Sequence, residues 1–302
     1  MKNFSITVAI SALNEAHNIT AFLRSVLLQK EEGFVLEKIL IISDGSTDQT
    51  AKLARNFNSD KIEVREYGER MGKSSRLNEI YKDLQSDILV QSDADVVLEH
   101  PLVIRDIILP IILDQKAGMC GGHPRPVPAK TFTEKAVNCT FAAYEPFRSL
   151  VRGGDNVFSA DGRLLAFRRE FIKQVYVPED MIANDAFAYF SCLDKGFAYR
   201  YVKTAVVLFR SPQTFAEQVK QNTRFEAAPA RMNKYFPAEL VKREYHIPFN
   251  IFLKNALKQI VRHPILCGYI FLINAYCRFR AFFMEKRLTA KWQMAYTTKR
   301  LD

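Results

Sequence analysis

Apolar residues along the first hundred positions come in short runs, each closed by polar residues. Residues 6–10, 38–43, 61–66 and 88–91 read as buried strands on this pattern. Between them the apolar positions recur at helical spacing. Ile19, Phe22, Leu23, Val26 and Leu27 predict a helix over 16–29, and further helices are expected over 51–57, after the segment 68–74 to about residue 84, and over 101–115. Four strand–helix alternations call for an α/β fold with a mostly parallel sheet and right-handed crossovers. In such sheets ligands bind beyond the carboxyl ends of the strands. Polar clusters follow each run: Asn14-Glu15, then Asp44 to Asp48, then Gly72-Lys73 with Arg76, then Asp93-Ala-Asp95. All four are therefore expected on one edge of the sheet.

The sharpest of these clusters is the pair Asp93 and Asp95 at the end of an apolar run. Two carboxylates brought out of a core repel one another, and desolvating them is costly without a compensating cation. Mg²⁺ or Mn²⁺ carrying a nucleotide diphosphate compensates them, because such ions take one or two carboxylates and complete their shell with phosphate oxygens and water. The plain alternative is an Asx turn after a strand, and the tripeptide alone does not separate the two. A phosphate loop of the G-x-x-x-x-G-K-[ST] type is a rival reading of Gly68 to Ser74. That segment has three residues between its glycines where the motif needs four.

Beyond residue 100 the pattern loosens. Residues 118–128 read as a strand passing into a proline-rich loop, and 153–169 as a glycine-punctuated loop leading into a strand. Residues 178–185 open a helix that Asp185 caps or sits on, and another begins near Thr214 and carries Gln221, Arg224 and Phe225. His123 is read as a hydrogen-bonded loop residue in preference to a metal ligand. Five widely spaced cysteines without a C-x-x-C argue against a disulfide framework or a zinc site. The apolar run at 6–10 reads as a first strand, not as a signal peptide, so cytosolic exposure is expected.

Charge separates the two ends of the chain. Residues 1–150 hold 18 basic and 20 acidic side chains, whereas 241–302 hold 12 and 3, a net of +9. In that tail Lys254, Lys258, Arg262, Arg278, Arg280, Lys286, Arg287, Lys291 and Trp292 flank or interleave apolar stretches, among them an uncharged run over 264–277. Fourteen residues fall short of the roughly 20 that cross a bilayer as a helix. Basic flanks on an apolar face instead suit helices lying on an anionic membrane surface, or packing on a protein or a second copy of this chain. No nucleic-acid motif accompanies the basic tail, and no nucleic-acid partner is expected. The division expected is a domain over 1–240 and a helical appendage over 241–302.

Taken in order, these motifs resemble family 2 glycosyltransferases of the GT-A fold over roughly residues 4–235. Asn14-Glu15, Asp44 to Asp48, Gly72-Lys73 with Leu77-Asn78, and the Asp-x-Asp signature Asp93-Ala-Asp95 carry the likeness. Asn184-Asp185 stands where polysaccharide and glycolipid synthases have Glu-Asp, and Gln221-Asn-Thr-Arg224-Phe225 where they have Gln-x-x-Arg-Trp. The resemblance implies inverting transfer of a hexosyl or N-acetylhexosaminyl group from a nucleotide sugar, with a UDP-sugar favoured, to a lipid-linked or glycan acceptor at the cytoplasmic face of the cell membrane. It implies Asp185 as base, Arg224 as a catalytic cation, and Asp95 with Asp93 as ligands of Mg²⁺ or Mn²⁺. Asn14, Glu15, Asp44, Lys73, Arg76 and Asp93 would bind the donor, and Arg163, Gln221 and Phe225 the acceptor. The alternative is a non-catalytic sugar-nucleotide or partner-binding module on the same fold.

Overall fold

The computed structural model describes residues 3–289, 291, 297–299 and 301. The four expected strands form as β1 (Phe4–Ala12), β2 (Phe34–Asp44), β3 (Ile62–Tyr67) and β4 (Ile88–Ser92). They pair in parallel, with β1 between β2 and β4 and with β3 outside β2. The crossovers are α1 (Ile19–Leu27), α2 (Thr50–Arg55) and α3 (Lys73–Asp83). After β4 the chain makes a short β5 (Val96–Leu98), α4 (Val103–Leu113), β6 (Ala117–Pro126) and α5 (Phe132–Leu150). β7 (Leu164–Arg168), α6 (Arg169–Ile172), α7 (Asn184–Asp194), β8 (Ala198–Phe209) and α8 (Phe215–Met232) complete the sheet and its cover.

The eight strands lie in the order β3-β2-β1-β4-β7-β6-β8-β5. β7 runs antiparallel between β4 and β6, and β5 antiparallel on β8, while β6 and β8 are parallel. The sheet is thus parallel through its first half and mixed through its second. Alternation along β1 sets the layers: Ile6, Val8 and Ile10 enter one apolar cluster with α1 and α4, whereas Ala9 joins another with α3 and α7. A strand buried on both faces needs such continuous apolar runs, which is why β1, β2 and β4 were readable. β8 was not anticipated, because Arg200, Lys203 and Thr204 interrupt the apolar pattern in its middle, the last two exposed.

Three further helices follow: α9 (Ala238–Glu244), α10 (Phe249–Arg262) and α11 (Pro264–Met284). α9 crosses the expected boundary at residue 240, and its Val241 is buried with α7 and α8 side chains. α10 has no buried residue. α11 buries Ile270, Ile273, Cys277 and Ala281, one stripe at helical spacing, and the first three of these pack with Ala136 and Val137 of α5 and Val219 of α8. The uncharged run over 264–277 is only part of this helix. Arg278 and Arg280 do not end it, and Pro264–Arg287 is 24 residues long and apolar enough, by length and composition, to cross a membrane. The expectation that this segment is too short to cross is corrected on that ground. Arg231 of α8, fully buried, ties the end of α11 to the body: its Nε donates to Glu285 at 2.6 Å, and its guanidinium also meets the carbonyl of Asp180. Trp292 lies outside the described residues.

Candidate active site

The loops at the carboxyl ends of the strands are stitched to one another in sequence around the sheet. Asn14, just past β1, adopts a left-handed φ of 55°, which asparagine tolerates better than most residues. Its Oδ1 accepts from the Thr47 N–H at 2.8 Å, and its own N–H donates to Ser46 Oγ at 3.1 Å. Glu15 is buried, donates its N–H to Thr50 Oγ1 at 2.7 Å, and accepts from Asn18 Nδ2 at 3.2 Å. The loops after β1 and β2 are therefore one unit. Gly45, with φ of 73°, is required there: a Cβ would sit 2.8 Å from the Arg70 amide nitrogen.

Asp44 carries the next link. It accepts from the N–H groups of Met71 at 2.9 Å and Gly72 at 2.7 Å, and from Arg76 Nε at 2.7 Å. The amides a phosphate loop would offer to a nucleotide are here donated to a carboxylate, which separates this loop from that motif on chemistry as well as length. Arg76 is buried with Asp44, and its guanidinium lies 3.7 Å from the Tyr67 ring centroid. In this arrangement Asp44 and Arg76 satisfy each other, whereas both had been expected to face a donor.

Lys73 opens α3 and pairs with Asp93. Burial pulls its ammonium down, but Asp93, with Asp185 and Asp95 farther off, outweighs that and holds it above its usual value. Ser92 Oγ donates to the carbonyl of Arg163 at 2.7 Å, joining β4 to the entrance of β7. Gly162 N–H then donates to Asp185 Oδ2 at 3.2 Å, and Ala186 N–H to Oδ1 at 2.8 Å. Asp185 thus sits in the first turn of α7, where backbone N–H groups favour a carboxylate. Even so, burial pushes its carboxyl above the usual value and Asp161 adds to the shift, against the pull of Ala186, Lys73 and Gly162.

Arg224 of α8 approaches from the other side. Burial pushes its guanidinium down to about 10, against the pull of Asp185 and Asp93. Asp93, Asp95, Lys73, Asp185 and Arg224 therefore form one electrostatic cluster. Gln221 lies half-buried and Phe225 exposed on the same helix. Arg163 is engaged elsewhere: its Nη1 donates to Asp161 at 2.9 Å and its guanidinium rests 3.7 Å from the Phe209 ring centroid. His123 Nδ1 meets the Tyr201 hydroxyl at 2.6 Å.

Asp93 and Asp95 offer hard oxygen ligands that suit Mg²⁺ or Mn²⁺, with Asp93 also neutralised by Lys73. Among the described residues no three His, Cys, Asp or Glu side chains lie close enough together to hold one metal ion. A two-carboxylate site leaves the remaining positions to diphosphate and water, so the donor set fits an ion that arrives with its nucleotide.

Asp161 escaped the sequence reading, and Asn78 and Asn184 were named there only as motif residues, with no role at the site. Asp161, between Arg163 and Arg148, is held below the usual carboxylate value because these cations outweigh the effect of burial. It bears on Asp185 through charge. The side chain of Asn78 makes paired bonds with the backbone of Val177, at 2.9 and 2.7 Å, and so fixes the segment that enters α7. Asn184 is buried, with Oδ1 accepting from Ser74 Oγ at 3.1 Å. Asp161 lay two residues from Arg163 in a loop already singled out; the partners of Asn78 and Asn184 are about a hundred residues away and left no local signal.

Comparison with known proteins adds to this geometry. The poly-beta-1,6-N-acetyl-D-glucosamine synthase of Staphylococcus aureus is 28% identical over 225 residues, covering 73% of this chain and 53% of that protein. The 4,4'-diaponeurosporenoate glycosyltransferase of the same species is 29% identical over 163 residues, 53% of this chain and 40% of its own. The chain spans about half the length of the curated relatives it matches. Among solved structures, the mannosyltransferase PcManGT from Pyrobaculum calidifontis, in complex with GDP-Man and Mn²⁺, shares the fold at a TM-score of 0.62. It is 15% identical, over 94% of this chain and 84% of its own. Glucosyl-3-phosphoglycerate synthase from Mycobacterium tuberculosis, with Mn²⁺, UDP and glucosyl-3-phosphoglycerate, reaches 0.55 at 17% identity, over 76% of this chain and 79% of its own. The fold is accordingly GT-A. The family described as glycosyltransferase like family 2 matches residues 3–226, from β1 through Phe225 of α8 and so across every loop of the rim, and the chain belongs to that family.

Proposed function

We propose that the protein is an inverting glycosyltransferase that moves a hexosyl or N-acetylhexosaminyl group from a nucleotide sugar to a hydroxyl of a lipid-linked or polysaccharide acceptor. One observation carries the reading: Asp185, its carboxyl raised by burial, shares an electrostatic cluster with Lys73, Asp93, Asp95 and Arg224 at the carboxyl edge of the sheet. A carboxylate whose pKa lies nearer neutrality is a better proton acceptor for a hydroxyl than an ordinary aspartate. Asp185 takes the proton of the acceptor hydroxyl as its oxygen attacks the anomeric carbon and the nucleoside diphosphate leaves from the opposite face.

Asp95, assisted by Asp93, would hold Mg²⁺ or Mn²⁺, which supplies charge neutralisation on the diphosphate when bound. Lys73 and Arg224 add fixed positive charge beside the same leaving group. Glu15 and Asn14 line the donor end, and Asp44 with Arg76 keeps the loop before Lys73 in place. Gln221 and Phe225 lie on the acceptor side, with Phe225 offering an aromatic face to a sugar. Arg163 contributes through Asp161. The relatives' printed names support this class of chemistry: one is a polysaccharide synthase, and two fold neighbours bind GDP-Man or UDP with Mn²⁺. A UDP-sugar is our favoured donor. The exposed apolar residues of α10 and α11, with their basic flanks, support a position on the cytoplasmic face of the cell membrane. Residues beyond α9 form the appendage in this reading.

The test is nucleoside diphosphate release from a panel of UDP- and GDP-sugars with Mn²⁺ or Mg²⁺. Release that needs the metal is expected for at least one donor. Binding of a nucleotide sugar without turnover, even with glycan and lipid-linked acceptors supplied, would favour the non-catalytic alternative.

A further inference from the structure

Outside the catalytic cluster, the structure has a cleft of about 530 Å³ where the end of α5 meets α9 and the start of α10. Arg152, Lys242, Arg243 and His246 line it, with Glu239 as its one acidic group. Behind them, buried Glu244 accepts from Arg243 Nε at 3.0 Å and from the Tyr189 hydroxyl at 2.5 Å, and pairs with Arg152 Nη2 at 2.7 Å. One carboxylate shared by two guanidiniums leaves positive charge over. Three permanent cations face two carboxylates, and His246 adds another on protonation. The side chains of Lys242 and His246 make no hydrogen bond or ion pair among the described residues.

The other lining is apolar. Leu150, 62% exposed, and Ile251 border the cleft, and Ile251 belongs to α10. That helix presents Phe249, Leu257 and Val261 to solvent, at 71%, 50% and 81% exposure. A basic cleft that opens onto an uncovered apolar helix has the two-part chemistry of an anionic amphiphile. Charge-assisted bonds from Arg and Lys recognise a phosphate, and hydrocarbon covers the helix face.

We propose that this cleft binds the phosphate headgroup of an anionic membrane lipid, with the acyl chains lying along α10. The proposal rests on the membrane-surface reading above and adds a defined site to it. The site adjoins the catalytic centre: Tyr245, between Arg243 and His246, packs on Phe158 and Phe190 and feels the charge of Asp185. A lipid held there sets which face of the catalytic domain meets the bilayer.

The full chain is floated with phosphatidylcholine vesicles made with or without phosphatidylglycerol. Lys242→Gln/Arg243→Gln is compared with the charge-matched Lys254→Gln/Lys258→Gln on α10. The cleft pair is expected to lose phosphatidylglycerol-dependent binding about tenfold more than the matched pair. Lys242→Gln alone, which breaks no internal bond, should move in the same direction and covers the case in which the double variant is unstable. Equal losses in the two pairs would overturn the cleft and leave the membrane reading standing. Failure of the unaltered protein to bind either vesicle would overturn both. Thermal protection by inorganic phosphate, with nothing added by phosphatidylglycerol vesicles, would make this a free-phosphate site and overturn the lipid assignment.

Discussion

The rim of the sheet and the last two helices solve opposite problems. Around the rim, polar groups from six loops bind one another in series, from Asn14 through Asp44, Lys73 and Ser92 to Gly162 and Asp185. Buried polar groups are costly unless satisfied, so such a chain fixes its members within narrow limits. α10 and the outer face of α11 instead leave large apolar side chains in solvent, with few polar ties such as Arg278 to Glu226. Phe271, Phe279 and Phe282 stand 69%, 67% and 83% exposed. A contiguous apolar surface of this kind marks an interaction site, not a folding core. The contrast teaches that the catalytic half carries its own order, whereas the C-terminal helices leave a large apolar surface uncovered among the described residues.

The contrast can be broken most forcefully at the end of the rim that carries Asp93 and Asp95, the proposed metal ligands. Asp95→Ala should remove metal-dependent donor binding by a factor on the order of a hundred or more, since one of only two carboxylates is lost. Isothermal titration with nucleotide sugar and Mn²⁺ checks this, and unchanged affinity would remove Asp95 from the site. Next comes the rim's internal order. Asp44→Asn leaves Arg76 buried without its carboxylate, a change worth about 3–5 kcal/mol when nothing compensates. The Tyr67 ring and Glu79 stay beside Arg76, so about 3 kcal/mol is expected, seen as a lower melting temperature.

A finer probe is pH. As the proposed base, Asp185 acts as the carboxylate, and burial and Asp161 raise its pKa. Activity should therefore fail, as pH drops, at a higher pH than an ordinary aspartate near 4 would give. Asp161→Asn removes the like charge, lowers the Asp185 pKa, and should move the acid limb of kcat to lower pH. A limb that stays put would mean that Asp161 does not act on Asp185. The smallest effect on stability belongs to the other region. Val261→Ser or Phe282→Ser should leave melting within about 0.5 kcal/mol, while weakening vesicle binding severalfold. A large loss of stability would mean that these faces pack on protein.

Much of the rim was legible because a strand buried on both faces writes itself as an apolar run, and the residue after the run then lies on the sheet's carboxyl edge. Asp93, Asp95 and Lys73 were placed on that edge by this reasoning, and Asp185 was named through family resemblance. What the rim residues do to each other was not legible. The pairing of Asp44 with Arg76 spans 32 residues and that of Asn78 with Val177 spans 99, and no local pattern encodes either. β8 was hidden by its polar middle, and the length of α11 by two arginines that a helix tolerates on its outer face. Arg163 was expected to meet the acceptor; its guanidinium pairs with Asp161, whose charge bears on Asp185.

The most direct test of the account is a paired measurement on Asp185→Asn: donor affinity with Mn²⁺, and the rate of sugar transfer at saturating donor and acceptor. The account predicts affinity within a factor of about two of the unaltered protein and a rate lower by about a thousandfold, within the range expected for removing a general base. Full turnover by Asp185→Asn would contradict it.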